Sequence, residues 1–219
     1  MKKKPTTIFS EPLFRSFSFM VLAVLLVSSP LLFLNKEFPS IWINQFHSPF
    51  LDKLFFYFTY LGDGLILIPV LIFLLFRSYT WAGFFALFIA IEAILVQLVL
   101  KKGIFAHLNR PSVYLSNFQD FHQVAGVQLH GLHTFPSGHT QTIFLVITFI
   151  ILASRKSYLL IIVLLFIAVI TALSRVYLLQ HFFIDIWFGA LIGFFIPVVS
   201  IYILQLYNKF PNSQKHLHF

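Results

Sequence analysis

Cysteine is absent from the 219-residue chain, and charged residues make up only 10% of it. The first absence excludes disulfide bonds, zinc–thiolate sites and cysteine nucleophiles. The second excludes an ordinary soluble domain, because a water-facing surface takes about a quarter or more charged residues. Since 59% of the residues are hydrophobic, we predict an integral membrane protein.

Six apolar stretches each approach the roughly 20 residues that one bilayer crossing needs. They predict an all-α, polytopic membrane fold with spans at about 16–35, 54–76, 80–100, 137–154, 157–174 and 181–204. Tight hairpins are expected near Ser78 and Lys156, and the stretch 38–49 reads as an interfacial segment. Without internal repeats or a domain boundary, the whole chain 1–219 is predicted as one six-span domain with a long outer loop at 101–135.

The positive charges are topology signals, because they fall in short clusters between apolar stretches and not along one face. Nucleic-acid binding is therefore not expected. With the N-terminus in the cytoplasm, the inside set is Lys2, Lys3, Lys4, Arg15, Arg77, Arg155, Lys156, Lys209 and Lys215. The outside set is Lys36, Lys53, Lys101, Lys102, Arg110 and Arg175. This bias predicts cytoplasmic termini and an outward-facing long loop.

Polar residues also occur within the predicted spans. Gly62 and Gly64 flank Asp63 and predict a kink or a helix restart, which Asp63 caps. Glu92 and Gln97 are expected to face the protein interior, and an interhelical hydrogen bond explains Glu92 at least as well as proton transfer does.

Three polar clusters converge on the outer face in this topology. Lys101, Lys102 and Arg110-Pro111 open the long loop, Pro136-Ser137-Gly138-His139 closes it, and the stretch 174–185 joins the last two spans. Pro136 predicts a helix start whose backbone N–H groups bind anions, although capping alone would equally explain Ser137 and Gly138. With the guanidinium forks of Arg110 and Arg175, this set suits a phosphate.

His181 and Asp185 are four residues apart, a spacing that would place them on one face of a helix. A carboxylate can then hold one imidazole nitrogen and leave the other free as a nucleophile. A structural His–Asp pair is the commoner case, so the pair gains weight from the two neighbouring clusters.

Together these motifs resemble those of the type 2 phosphatidic acid phosphatases, the membrane branch of a superfamily that includes the vanadium haloperoxidases. The family pattern is Lys, six residues, Arg-Pro; then Pro-Ser-Gly-His; then Ser-Arg, five residues, His, three residues, Asp. The second and third motifs match at 136–139 and 174–185. The first departs, because Gly103 stands seven residues before Arg110 and the nearest lysine is Lys102.

The resemblance implies an enzyme that dephosphorylates a lipid phosphate or lipid pyrophosphate through a phosphohistidine intermediate, without a metal or cofactor. His181 would attack phosphorus, Asp185 would hold its ring, and His139 would protonate the leaving oxygen. The phosphate oxygens would be held by Lys102, Arg110, Ser137, Gly138 and Arg175.

The substrate and the acceptor stay open. An outward site in a bacterial cytoplasmic membrane favours undecaprenyl pyrophosphate or a lipid A phosphate, while phosphatidylglycerophosphate and phosphatidic acid are alternatives. The same intermediate could pass its phosphate to another lipid, as in a phosphotransferase, and an anion transporter is a weaker third reading. The loop histidines are read as headgroup contacts or plain loop residues more readily than as metal ligands: His107, His122, His130 and His133.

Overall fold

A computed structural model describes residues 11–115, 121–153 and 157–206 of the chain. Over these residues the fold is helical, apart from an isolated β-bridge between Asn109 and Leu132, which confirms the predicted all-α class. The helices are α1 Pro12–Ser28, α2 Phe38–Asn44, α3 Pro49–Phe58, α4 Leu67–Arg77, α5 Tyr79–Glu92, α6 Pro111–Leu115, α7 Gly138–Ala153, α8 Tyr158–Tyr177 and α9 Phe183–Leu206. Short 3₁₀ helices extend the ends at Ser29–Phe33, Thr59–Gly62 and Gly64–Ile66, and a π-helix, Ala93–Ile104, continues α5.

Four continuous helices among the described residues are long and apolar enough to cross a membrane. They are Pro12–Phe33, Tyr79–Ile104, Tyr158–Tyr177 and Phe183–Leu206. A fifth crossing is formed if Pro49–Gly62 and Gly64–Arg77 count as one bent span. The protein is therefore an integral membrane protein, and the residues that the structure describes supply four or five such spans, while α7, with 16 residues, is shorter.

Part of the predicted topology lies outside the described residues. This holds for the hairpin at Lys156, the end of the predicted span 137–154, and the charges Lys2, Lys3, Lys4, Arg155, Lys209 and Lys215. The other predicted hairpin is present, since Ser78 separates α4 from α5 and accepts a hydrogen bond from the backbone of Trp81. The segment predicted to be interfacial contains α2, whose seven residues are too few to cross a bilayer.

The predicted kink at Gly62-Asp63-Gly64 is confirmed, with the two halves of the span at 54°. Asp63 is extended and its carboxylate accepts a hydrogen bond from the backbone N–H of Leu65 at 2.9 Å, so it caps the second half. Gly62 is needed for close approach, because a Cβ there would lie 2.6 Å from the carbonyl oxygen of His139. The bend thus presses against the first turn of α7.

The centre of the fold is α7, which is buried from Thr140 to Phe149. It packs against α9 at two glycines: a Cβ at Gly189 would lie 2.8 Å from the carbonyl oxygen of Ser137, and one at Gly193 would lie 2.4 Å from that of Gln141. Small residues four apart let two membrane helices approach closely. This contact joins the start of α7 to the start of α9.

Candidate active site

The three polar clusters of the sequence meet at one cavity of about 730 Å³. Its wall includes five of the eight predicted site residues, namely Arg110, Gly138, His139, Arg175 and His181. Asp185 and Ser137 lie behind the wall, and Lys102 lines a neighbouring cavity. The helix end next to each residue determines whether its side chain reaches the cavity.

His181 reaches the cavity through a chain reversal at the end of α8. The backbone N–H groups of Gln180 and His181 both donate to the carbonyl of Arg175, at 2.9 and 3.0 Å. Leu179 takes a left-handed conformation with φ 55°, which costs a non-glycine residue about 1 kcal/mol or more. Since α8 ends at Tyr177, Arg175 lies in its last turn and not in a connecting loop.

The sequence reading of His181 and Asp185 as two residues of one helix is wrong. Helix α9 begins at Phe183, so His181 precedes it and only Asp185 lies in its first turn. The pair still meets, with Nδ1 of His181 3.4 Å from Oδ2 of Asp185, because the reversal turns the imidazole back toward the helix start.

Asp185 is held in place by two donors. Its Oδ2 accepts a hydrogen bond from the hydroxyl of Thr134 and another from the backbone N–H of Phe182 at 2.9 Å. Thr134 Oγ1 also lies 3.5 Å from Nδ1 of His181. With Nδ1 facing these oxygens, Nε2 is the ring nitrogen left for chemistry. Thr134 is a site residue that the sequence motifs did not mark.

The surroundings of His181 favour the neutral form of its imidazole. Burial first, and then the positive charges of Arg110, Arg175 and Lys101, lower its pKa well below the usual value. A neutral imidazole carries the lone pair that a nucleophile requires.

Arg110 is oriented by three hydrogen bonds. Its Nε donates to the carbonyl of Leu132 at 2.9 Å, and its Nη1 donates to Oε1 and to the backbone carbonyl of Gln180 at 3.0 and 3.2 Å. Gln180 in turn donates from Nε2 to the carbonyl of Gln128 at 3.0 Å. Gln180 is therefore a second site residue missed from the sequence, where it is one of the five unspecified positions of the third motif.

The guanidinium group of Arg175 is held through one of its nitrogens, Nη1. Its Nη1 donates to Oγ1 of Thr59 at 2.6 Å, while its buried Nε has no hydrogen-bond partner among the described residues. A buried donor without an acceptor is costly, so this nitrogen is suited to an anion in the cavity.

Lys101, and not the predicted Lys102, lines the main cavity. The cause is the π-helix after α5, in which each turn takes in about one residue more than in an α-helix. In an α-helix, Lys101 would point about 180° away from Glu92, nine residues earlier. With the wider winding, Glu92, Gln97 and Lys101 all line the cavity. The hydrogen bond predicted between helices for Glu92 instead comes from Gln97 of the same helix, at 3.1 Å.

Gly138 lets α7 approach these residues. A Cβ at this position would lie 3.1 Å from Nε2 of Gln97 and 3.8 Å from Nζ of Lys101, so the first turn of α7 faces the lysine directly. Ser137 is fully buried and is not on the wall. Its Oγ accepts from the hydroxyl of Thr140 at 3.1 Å and from the backbone N–H of Thr140 at 3.5 Å, so it serves as the cap of α7.

Ser137 also links the starts of α7 and α9. Its backbone N–H donates to the carbonyl of Asp185 at 3.0 Å. Next to it, Nε2 of His139 lies 3.8 Å from Oδ2 of Asp63. Asp63, which the sequence reading treated as a cap, is therefore both a cap and a cavity residue.

The loop that closes one side of the cavity is fastened by a clasp of Asp52, His122 and Tyr177. Nε2 of His122 lies 2.9 Å from both oxygens of Asp52, and the hydroxyl of Tyr177 donates to Oδ1 of Asp52 at 2.5 Å. The side chain of Asn44 adds two hydrogen bonds to the backbone of His122, at 2.8 and 3.0 Å.

Among the described residues, no group of three or more His, Cys, Asp or Glu side chains is placed to share a metal ion.

Comparison with known proteins relates this arrangement to one family. A family model described as PAP2 superfamily matches residues 80–209, which contain all three polar clusters. The crystal structure of Aquifex aeolicus LpxE is similar, with 29% identity and a TM-score of 0.65 over 78% of this chain and 96% of that chain. The fold also resembles that of the first transmembrane PAP2 type phosphatidylglycerolphosphate phosphatase from Bacillus subtilis, with 22% identity and a TM-score of 0.61 over 86% of this chain and 96% of that chain. No curated protein matches the sequence.

Proposed function

The chain belongs to the PAP2 superfamily, as a membrane lipid phosphatase, and from this premise we propose that it hydrolyses a lipid phosphate or lipid pyrophosphate through a phosphohistidine on His181. One observation carries the proposal: His181, held by the carboxylate of Asp185, shares a single cavity with Lys101, Arg110 and Arg175. A nucleophile surrounded by cations suits an anionic phosphorus centre.

In the first step, Nε2 of His181 attacks phosphorus and the bond from phosphorus to the lipid oxygen breaks. Asp185 and Thr134 stabilise the positive charge that the imidazole ring acquires. The three cations and the backbone N–H of Gly138 stabilise the charge on the equatorial oxygens. His139 donates a proton to the leaving oxygen, because the bound phosphate and the carboxylate of Asp63 supply the negative charge that keeps its imidazole protonated beside the three cations.

In the second step, a water molecule attacks the phosphohistidine and His139 takes its proton. Inorganic phosphate leaves and His181 returns to its neutral form, so the cycle consumes one water and needs no group beyond those of the chain. The buried Nε of Arg175 supports this scheme, because a phosphate oxygen would supply the acceptor that it lacks.

The site is proposed to face the exterior of a bacterial cytoplasmic membrane, with the lipid entering from the outer leaflet. The excess of basic residues assigned to the inside set supports this orientation. Such a site favours undecaprenyl pyrophosphate or a lipid A phosphate over phosphatidylglycerophosphate and phosphatidic acid.

The test is phosphate release by the detergent-purified full chain, with a chelator present, from these four lipids. His181→Ala is expected to abolish release, while His107→Ala, which changes an exposed loop histidine away from the cavity, should retain it. Release that survives His181→Ala would overturn the phosphohistidine. If the unaltered chain releases no phosphate but transfers it to an added lipid acceptor, the protein is a phosphotransferase and the hydrolase proposal fails.

A further inference from the structure

A second cavity, of about 590 Å³, adjoins the catalytic one and is strongly basic. The charged and titratable residues that line it are Lys101, Lys102, Arg110, His130 and His133. None of the described residues on its wall is acidic, whereas the catalytic cavity includes Asp63 and Glu92. A pocket with three cations, two imidazoles and no lining carboxylate is suited to an anion.

The two cavities are contiguous. Lys101, Arg110 and His130 line both of them, as does Gln97. Lys101 and Arg110 therefore stand between the two spaces, and an anion in the second cavity would share them with a phosphate held near His181.

The positive charge exceeds what one phosphate needs. A phosphate monoester carries up to two negative charges, and Lys101, Arg110 and Arg175 already face the catalytic cavity. Lys102 lies outside that set and adds a further charge to the second cavity. These cations also act on His130. Burial first, and then the positive charges of Arg110, Arg175 and Lys101, lower the pKa of its imidazole.

One apolar side chain lines this cavity, and others are exposed on the helix that carries Lys102. Leu132 lies on its wall and is 52% exposed, and Leu98 and Ile104, on the same helix as Lys102, are 56% and 57% exposed. Exposed apolar residues on a membrane span face lipid, so a hydrocarbon chain can lie next to the basic residues.

We propose that Lys102, His130 and His133 form a subsite for a second phosphate group, joined directly to the phosphate that His181 attacks. The preferred substrate is then a lipid diphosphate, an assignment that rests on the proposed hydrolase function. Because Lys101 and Arg110 line both cavities, the second phosphate would lie next to the first.

The reaction balances with this substrate. His181 forms a bond to the terminal phosphorus, the bond from that phosphorus to the bridging oxygen breaks, and the electron pair stays on the bridging oxygen. His139 donates its proton to that oxygen, and the lipid monophosphate leaves as an anion whose remaining charge Lys102 and the two imidazoles stabilise. Water then hydrolyses the phosphohistidine, so the products are lipid monophosphate and inorganic phosphate.

The test compares a polyprenyl diphosphate with the monophosphate of the same polyprenyl chain, using the full chain in detergent. Lys102→Gln and His133→Asn are expected to lower kcat/KM for the diphosphate about tenfold more than for the monophosphate, because each removes a charge-assisted contact to the second phosphate. Asparagine is chosen at His133 because this residue has φ 60°. Lys53→Gln, which changes an exposed lysine on α3, is the matched control and should affect both substrates equally.

A second measurement does not depend on turnover. In calorimetric titrations, inorganic pyrophosphate should bind the unaltered chain and Lys53→Gln more tightly than inorganic phosphate, and Lys102→Gln should lose this preference. Equal losses on both lipids, or no loss, would overturn the subsite. Hydrolysis of the monophosphate alone would also overturn it while leaving the proposed function intact. If neither lipid is hydrolysed, the proposed function fails and the titrations decide the subsite by themselves.

Discussion

Thr134 lies beside the His181–Asp185 pair and is a residue whose role can be separated from folding. Thr134→Val keeps the shape of the side chain but removes the hydroxyl that donates to Asp185 and lies 3.5 Å from Nδ1 of His181. The buried carboxylate then loses one of its two donors, so kcat is expected to fall about tenfold or more. Phosphate release, measured beside the melting temperature in detergent, checks this prediction.

Thr148→Val is the matched control, because the hydroxyl of Thr148 is buried without a hydrogen-bond partner among the described residues. Its removal should leave kcat unchanged and should not lower the melting temperature. Thr134→Ser should retain most of the activity. A Thr134→Val protein as active as the unaltered chain would rule out a role for the hydroxyl in the reaction.

His181 should also make the stability of the protein depend on pH. In the unfolded chain a histidine takes up a proton as the pH falls through about 6.5, whereas the depressed pKa keeps folded His181 neutral. Below this pH the unfolded state binds more protons, so stability falls as the pH falls. Above it, this contribution is constant. Melting curves in detergent from about pH 7.5 to 5 should be steeper for the unaltered chain than for His181→Gln. Parallel curves would contradict the neutral, buried imidazole.

At the scale of the helices, the contact of α7 with α9 sets the geometry of the site. Gly193→Ala would place a Cβ 2.4 Å from the carbonyl oxygen of Gln141, so the two helices must move apart. A loss of about 1–3 kcal/mol in stability is expected, together with reduced activity, because Ser137 and Asp185 are bonded across the same contact.

Gly83→Ala is the control for this prediction. A Cβ at Gly83 meets nothing within 4 Å, and alanine is favoured over glycine inside a helix. Its melting temperature should match or exceed that of the unaltered chain. If Gly193→Ala and Gly83→Ala melted alike, the close approach of α7 and α9 would not determine stability.

The π-helix that follows α5 shows which structural features the periodicity of the sequence does not predict. The order and approximate position of the helices follow from apolar stretches of membrane-spanning length, and the motif residues lie together because each adjoins a helix end. A period of 3.6 residues cannot foresee the π-helix that brings Lys101 to the wall in place of Lys102. Nor can it foresee Leu179, whose left-handed backbone turns His181 out of the helix on which it was predicted.

Contacts between residues far apart in the chain could not be predicted from the sequence either. Thr134 meets Asp185 across 51 positions, and Gln180 meets Arg110 across 70. Neither residue type is rare and neither has a fixed spacing to its partner, so the packing of the complete fold is needed to pair them. By contrast, Arg110, His139, Arg175 and His181 could be placed in one site from their motifs.

At the scale of the whole molecule, the orientation in the membrane can be tested directly because the chain has no cysteine. Leu132→Cys labels the loop beside the active site, and Tyr79→Cys labels the turn at the start of α5; the native side chains are 52% and 81% exposed. A membrane-impermeant thiol reagent applied to intact cells is expected to modify position 132 and to reach position 79 only after permeabilisation. The reverse pattern would place the active site on the cytoplasmic side.

The clasp of Asp52, His122 and Tyr177 imposes an order on biogenesis. Its members are separated by 70 and 125 positions from Asp52, and synthesis proceeds from the N-terminus. Asp52 is therefore made before either partner, and His122 can meet Asp52 and Asn44 before Tyr177 of α8 completes the clasp. A nascent chain that ends before Tyr177 lacks the complete clasp and also His181 of the cavity wall, so the enzyme cannot act on lipids until the chain beyond α8 has been made.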